Sequence, residues 1–185
     1  MEKVQEVNSL SSLQHLFKQC HSQLDELFLL HQEALLQGEL TEALFLLEIY
    51  WSCHSLHSDF EDAEIFPVYR DLPEPGRWDA TLYNKEHQKI NDLYETVRSA
   101  ITTLIDRGQE GSPLRRGIIQ LMDREKSFKG LCEHHQEREE QSLLVELDAQ
   151  ADSDWKMNTA GQFSDLWEAQ FSESVRLINR GAGGE

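Results

Sequence analysis

The chain has 185 residues, 39% of them hydrophobic, with 17 basic against 34 acidic side chains and a formal net charge of −17. That length is enough for one domain with a buried core and no staples. The acidity argues against a phosphate backbone as partner, so no nucleic acid is expected, and no apolar run approaches the ~18 residues of a membrane span, so no membrane is expected either. The opening MEKVQEVNSL lacks a charged-then-apolar leader pattern. Cys20, Cys53 and Cys132 are too scattered for a disulfide framework, and they are expected to be buried thiols in a cytoplasmic protein.

Strand signals are absent, and Gly and Pro gather at Gly38, at residues 73–76, at Gly108 to Pro113 and in the tail. Segment one is predicted helical from an N-cap at Asn8 to Gln37, with the stripe Phe17, His21, Leu24, Phe28, His31, Leu35. Segment two, about Glu39 to Tyr69, carries Ala43, Leu47, Tyr50, His54, His57, Glu61, Glu64, Val68 on its seam. Segment three, about Trp78 to Arg107, carries Tyr83, His87, Ile90, Tyr94, Val97, Ile101, Leu104. Segment four, about Pro113 to Leu147, carries Ile118, Leu121, Glu125, Phe128, Cys132, His135, Glu139, Ser142, with Pro113 suited to a first helical turn. After Asp152-Ser153-Asp154, the recurrence of Phe163, Trp167, Phe171 and Val175 predicts a fifth amphipathic helix ending near Arg180. The expected fold is all-α: an up-down-up-down four-helix bundle over residues 1–148 and a C-terminal helical extension over 149–185. The extension either caps the bundle or pairs with a second subunit or another protein.

His21, His57, His87 and His135 are spaced so that each consecutive midpoint falls on a turn signal: beside Gly38, inside Leu72 to Gly76, and on Gly111. Helices rise a constant ~1.5 Å per residue, so residues equidistant from a hairpin turn share one height, and the four imidazoles are expected in one layer. The same reasoning places Phe17, Glu61, Tyr83 and Glu139 in a second layer one turn away. His57 and His135 each have a glutamate four residues on, Glu61 and Glu139, projecting from the same helix face. Seam positions should be apolar, and burying unpaired carboxylates costs several kcal/mol each. A layer of hydrogen-bonded core histidines is the plain alternative. Two facing carboxylates beside four imidazoles are, however, placed to bridge a pair of metal ions. Nitrogen and carboxylate donors without thiolate suit Fe or Mn, with Zn also accommodated.

The runs His21-Ser-Gln-Leu-Asp25, His57-Ser-Asp-Phe-Glu61 with Phe66-Pro67, Glu86-His87-Gln-Lys-Ile90 and His135-Gln-Glu-Arg-Glu139-Glu140 resemble the hemerythrin-like (HHE cation-binding) family over about residues 10–148. The resemblance implies a non-haem, carboxylate-bridged di-iron centre, with His21 and His57 on one iron, His87 and His135 on the other, and Glu61 and Glu139 bridging. It implies a small diatomic or peroxide ligand (O₂, peroxide or NO) in redox sensing or detoxification, or an iron-binding storage or sensing module without turnover that signals to a protein partner. Two departures bear on this. Oxygen-carrying members have a further histidine where this chain has Tyr83, and their fourth-helix acid stands at the position of Glu140; bacterial members often use the i+4 acid, here Glu139. With Tyr83, redox chemistry, iron handling or sensing is expected over reversible O₂ carriage.

The remaining histidines are read as structural. His31 is too far along segment one to join the layer and is expected to contact Glu48; His54 is expected to be a satisfied core histidine, and His15 and His134 to face solvent. Glu64 and Glu86 are read as surface or supporting charges, and Trp51, Trp78, Trp155 and Trp167 as packing residues.

Overall fold

The computed structural model describes residues 12–74 and 76–182. It is helical throughout, with no strand among these residues. Helix α1 spans Leu13–Gln37. Helix α2 comprises Leu40–Phe60, a π-helical turn Glu61–Ile65 and a last stretch Phe66–Arg70. Helix α3 spans Ala80–Arg107. Helix α4 comprises Gly111–Arg138, a second π-helical turn Glu139–Leu143 and Leu144–Gln150, and α5 spans Ser153–Ala182.

The ends follow from local chemistry. Asn8 lies outside the described residues; α1 is capped instead by Ser12, whose hydroxyl accepts from the His15 amide at 3.2 Å. Gly38 stops α1 in the left-handed region, φ 86°, and its N–H returns to the Ala34 and Leu35 carbonyls. Asp79 caps α3 through the Thr81 amide at 2.7 Å, so the helix opens at Ala80 and not at Trp78. Helix α4 opens at Gly111, placing Pro113 inside the first turn. The break at residues 152–154 is itself a cap: the Asp152 carboxylate accepts from the Asp154 and Trp155 amides at 2.9 and 3.0 Å, and α5 therefore starts ten residues before its aromatic stripe.

Helix α1 packs on α2, α2 on α3, and α3 on α4, and α5 lies across α1 and α2. Phe17, Leu24, Leu47, Ile90, Leu121 and Phe128 are buried between the first four helices, and Phe163 and Trp167 bring α5 onto the same core. Each fully buried large side chain of this kind contributes about 1.5–3 kcal/mol relative to exposure. All three cysteines are buried free thiols. No helix among the described residues is long and apolar enough to cross a membrane.

The π turns correct the seam. A π turn holds one residue more than an α turn, so everything beyond it is rotated. On α2 the predicted inward Glu64 is exposed and Val68 half-exposed, while Ile65, Phe66 and Tyr69 are buried at 0%, 1% and 3% exposure. On α4 the predicted Ser142 remains inward, and the wider turn brings Leu143, Leu144 and Leu147 in beside it.

Candidate metal centre

Each π turn begins at a glutamate of the expected pair: Glu61 opens one and Glu139 the other, each four residues after its histidine. Phe66 and Leu144 donate their amides back five residues to the Glu61 and Glu139 carbonyls. The local winding therefore changes at the carboxylates that face the interior, where such bulges often mark function.

Four imidazoles converge from four helices. His21 Nε2 lies 3.3 Å from His57 Nε2, and His87 Nε2 lies 2.8 Å from His135 Nε2. Glu139 reaches His135 at 2.5 Å, His21 at 3.1 Å and His57 at 3.8 Å. Glu61 stands 3.3 Å from both His57 and His87 and 3.9 Å from His135. Donor atoms of Glu61, His87, His135 and Glu139 all lie within 4.8 Å of one another, and so do those of His21, His57 and Glu139. All six side chains are buried, and these groups could hold a metal ion. The approaches are close but not aligned as hydrogen bonds, for both oxygens of Glu61 and both of Glu139 are buried without a hydrogen-bond donor. Buried carboxylates left so are costly, and cations are the partners that fit them.

The outer nitrogens are also occupied. His21 Nδ1 meets Glu140 at 2.9 Å, His87 Nδ1 meets Asp62 at 3.0 Å, and His135 Nδ1 meets Glu86 at 2.9 Å. His57 Nδ1 faces the Cys20 sulfur at 3.5 Å. A carboxylate at Nδ1 holds the proton there and leaves the Nε2 lone pair free to ligate. Glu86 is itself fixed by Arg138. Of the two adjacent acids on α4, Glu139 thus faces inner nitrogens and Glu140 an outer one.

Rings seal the cluster. Phe17 stands 5.1 Å from the His57 ring and 4.5 Å from Phe163 of α5, and Phe66 lies 5.3 Å from His87. Tyr83 is fully buried beside His135, ring centroids 5.9 Å apart, with its hydroxyl unpartnered. Burial first, then the charges of Tyr69 and Glu139, raises its phenol well above the ordinary value.

His15 and His134 are exposed as expected, and His54 is a core residue sharing a contact with the Ser58 hydroxyl at 3.2 Å. His31 departs from expectation. It meets Glu125 at 3.1 Å and the Ala43 carbonyl at 2.6 Å, while Glu48 pairs with Arg98 at 3.2 Å on the surface. Glu125 stood on the predicted seam at the height of His31, and that coincidence was the available signal. Glu86, expected as a surface or supporting charge, is buried and supports His135. Trp78 is 36% exposed, with the Arg77 and Arg138 guanidinium groups over its ring.

No family model, curated protein or solved structure matches the chain.

The metal-free cluster stores protons. Burial opposes charging of His21, but Glu139 and Glu140 outweigh it and raise the imidazole to about 9. Burial likewise opposes His87, and Asp62 and Glu61 raise it to about 9. These folded values exceed the ordinary 6.5, so their stabilisation is complete below that pH and is lost as pH rises through about 9. Each contributes at most on the order of 3 kcal/mol. Chelator-treated protein is therefore expected to melt several degrees lower at pH 9.5 than at pH 6.5, and metal-loaded protein to change much less. Parallel losses in the two forms would contradict the assignment.

Proposed function

We propose that this chain is a hemerythrin-like protein in which α1 to α4 form an up-down-up-down bundle around a carboxylate-bridged pair of iron ions. His21 and His57 would hold one ion, His87 and His135 the other, and Glu61 and Glu139 both. The observation that carries this reading is the convergence of four Nε2 atoms on the carboxylates of Glu61 and Glu139, whose four oxygens have no hydrogen-bond donor. When bound, iron supplies a redox couple and coordination positions for O₂, peroxide or NO. The chain's own groups do the rest. Glu140, Asp62 and Glu86 orient three imidazoles and, in the neutral rings that a metal would bind, hold the proton on the outer nitrogen. Phe17, Phe66 and Phe163 keep bulk water off the cluster. Tyr83 stands where oxygen carriers of that family place another histidine, which favours redox sensing or detoxification over reversible carriage.

A second reading, an iron-responsive module without turnover, is supported by α5. Its Phe163 ring packs on Phe17 and lies 5.9 Å from the His57 ring, so occupancy of the cluster would be felt by the C-terminal helix and any partner it meets.

Elemental analysis of freshly isolated protein, with its absorption spectrum, tests the proposal. The expected result is about two irons per chain, with near-ultraviolet ligand-to-metal bands that shift on adding azide or peroxide. Unchanged iron content in His57→Ala and Glu139→Ala proteins would refute the site. Iron-dependent stability with no response to peroxide would select the second reading.

A further inference from the structure

A cavity of about 330 Å³ opens between α1 and α4. Its rim carries Asp25, Glu26, Glu133 and Lys129, all exposed, and Leu29 of α1 also lines it. Its inner end is formed by Tyr50 and Cys132, which are 3% and 6% exposed. Cys132 is one helical turn before His135, and Ser22, on the wall, adjoins His21. The inner end therefore lies about 5 Å along the helix axes from the imidazole layer.

The walls and rim differ in chemistry. Phe28 and Phe128 make the deep walls apolar. The Tyr50 hydroxyl donates to the Cys132 sulfur at 3.5 Å, so the two polar groups at the inner end are engaged with each other and hold a passing molecule weakly. Burial pushes the Cys132 thiol up to about 11, which keeps it protonated and slow to react with an oxidant at neutral pH. Three carboxylates against one ammonium at the rim, on a chain with a net charge of −17, repel small anions.

We propose that this cavity is the entrance through which a small uncharged ligand (hydrogen peroxide, O₂ or NO) approaches the His/Glu cluster, and that its rim slows the entry of small anions. The role as entrance rests on the metal centre proposed above; the selectivity of the cavity does not. Cys132 reports passage in the metal-free protein, because Cys20 and Cys53 are fully buried. Methyl methanethiosulfonate, which is neutral, is expected to modify Cys132 at least about tenfold faster than its anionic sulfonatoethyl analogue. Leu29→Trp, which fills the mouth, is expected to slow the neutral reagent about tenfold, and Glu26→Gln/Glu133→Gln to narrow the preference between reagents severalfold. In iron-loaded protein Leu29→Trp should slow the peroxide-induced spectral change to the same degree at unchanged iron content. Equal rates for the two reagents, or no effect of Leu29→Trp on thiol modification, would overturn the cavity's role. A normal thiol result with an unslowed spectral change would place the entrance elsewhere. A chain that takes up no iron would refute the metal centre and the entrance role together, while the thiol rates still decide the cavity's selectivity.

Discussion

Glu139→Gln is expected to empty the cluster of both ions, whereas Glu61→Gln is expected to leave one. Glu139 is the residue common to the two donor groups, the one with Glu61, His87 and His135 and the one with His21 and His57. An amide keeps the shape but removes the charge and half of the acceptor capacity. It also removes the carboxylate that the interior histidines hold well below the ordinary range against the opposing effect of burial. Loss of a group that merely orients a ligand costs 10–100-fold in metal affinity, so loss of a shared ligand should exceed about 100-fold at both positions. In Glu61→Gln the group of His21, His57 and Glu139 stays complete. Iron per chain after desalting, compared with circular dichroism of the same samples, decides the matter. Two irons retained by a folded Glu139→Gln protein would defeat the bridging assignment.

The buried pair His31–Glu125 is expected to behave in the opposite manner. Both side chains are wholly excluded from solvent, and a third contact from Gln32 reaches the same carboxylate at 3.2 Å. Glu125→Ala leaves His31 without its partner and should cost about 3–5 kcal/mol in urea denaturation. The double change His31→Leu/Glu125→Leu should recover most of that loss, since apolar replacement of a buried pair is often neutral or better. His31 is ~15 Å along α1 from His21, so iron content should not move in either protein. A loss of metal in Glu125→Ala at full stability would mean that this pair belongs to the centre after all.

The helices and the convergence of six side chains were legible in the sequence because both depend on one regular quantity, the rise per residue, measured from Gly and Pro punctuation. The two π turns were not. Periodicity assumes constant winding, and after Glu61 it pointed Glu64 and Val68 inward where Ile65 and Tyr69 are found. Pro67, with no N–H to give, stands two residues beyond the end of the first π turn, but nothing comparable marks the second. Of the outer partners, Glu86 was expected as a surface or supporting charge, whereas the contacts of Asp62 and Glu140 escaped because these acids sit off the seam, beside the ligand residues, where acidic side chains ordinarily meet water. The misplaced partner of His31 came from stopping the height comparison at the neighbouring helix, when carrying it around to α4 reaches Glu125.

The ring of acids around the imidazoles sets the valence that the interior tolerates best. Glu61 and Glu139 within, and Asp62, Glu86 and Glu140 behind the imidazoles, are five negative groups, and Arg138 against Glu86 and Lys18 against Glu140 return two positives. The three units left over lie closer to the charge of two divalent ions with neutral imidazoles than to that of two trivalent ones, so a reduced pair would sit in the better balanced shell. Two trivalent ions would exceed it by three units in a poorly polarisable setting where uncompensated charge is expensive. Such a shell would resist accumulation of an oxidised pair unless an anion entered with it, and would thereby bias the resting condition of an iron-loaded protein toward the electron-rich side.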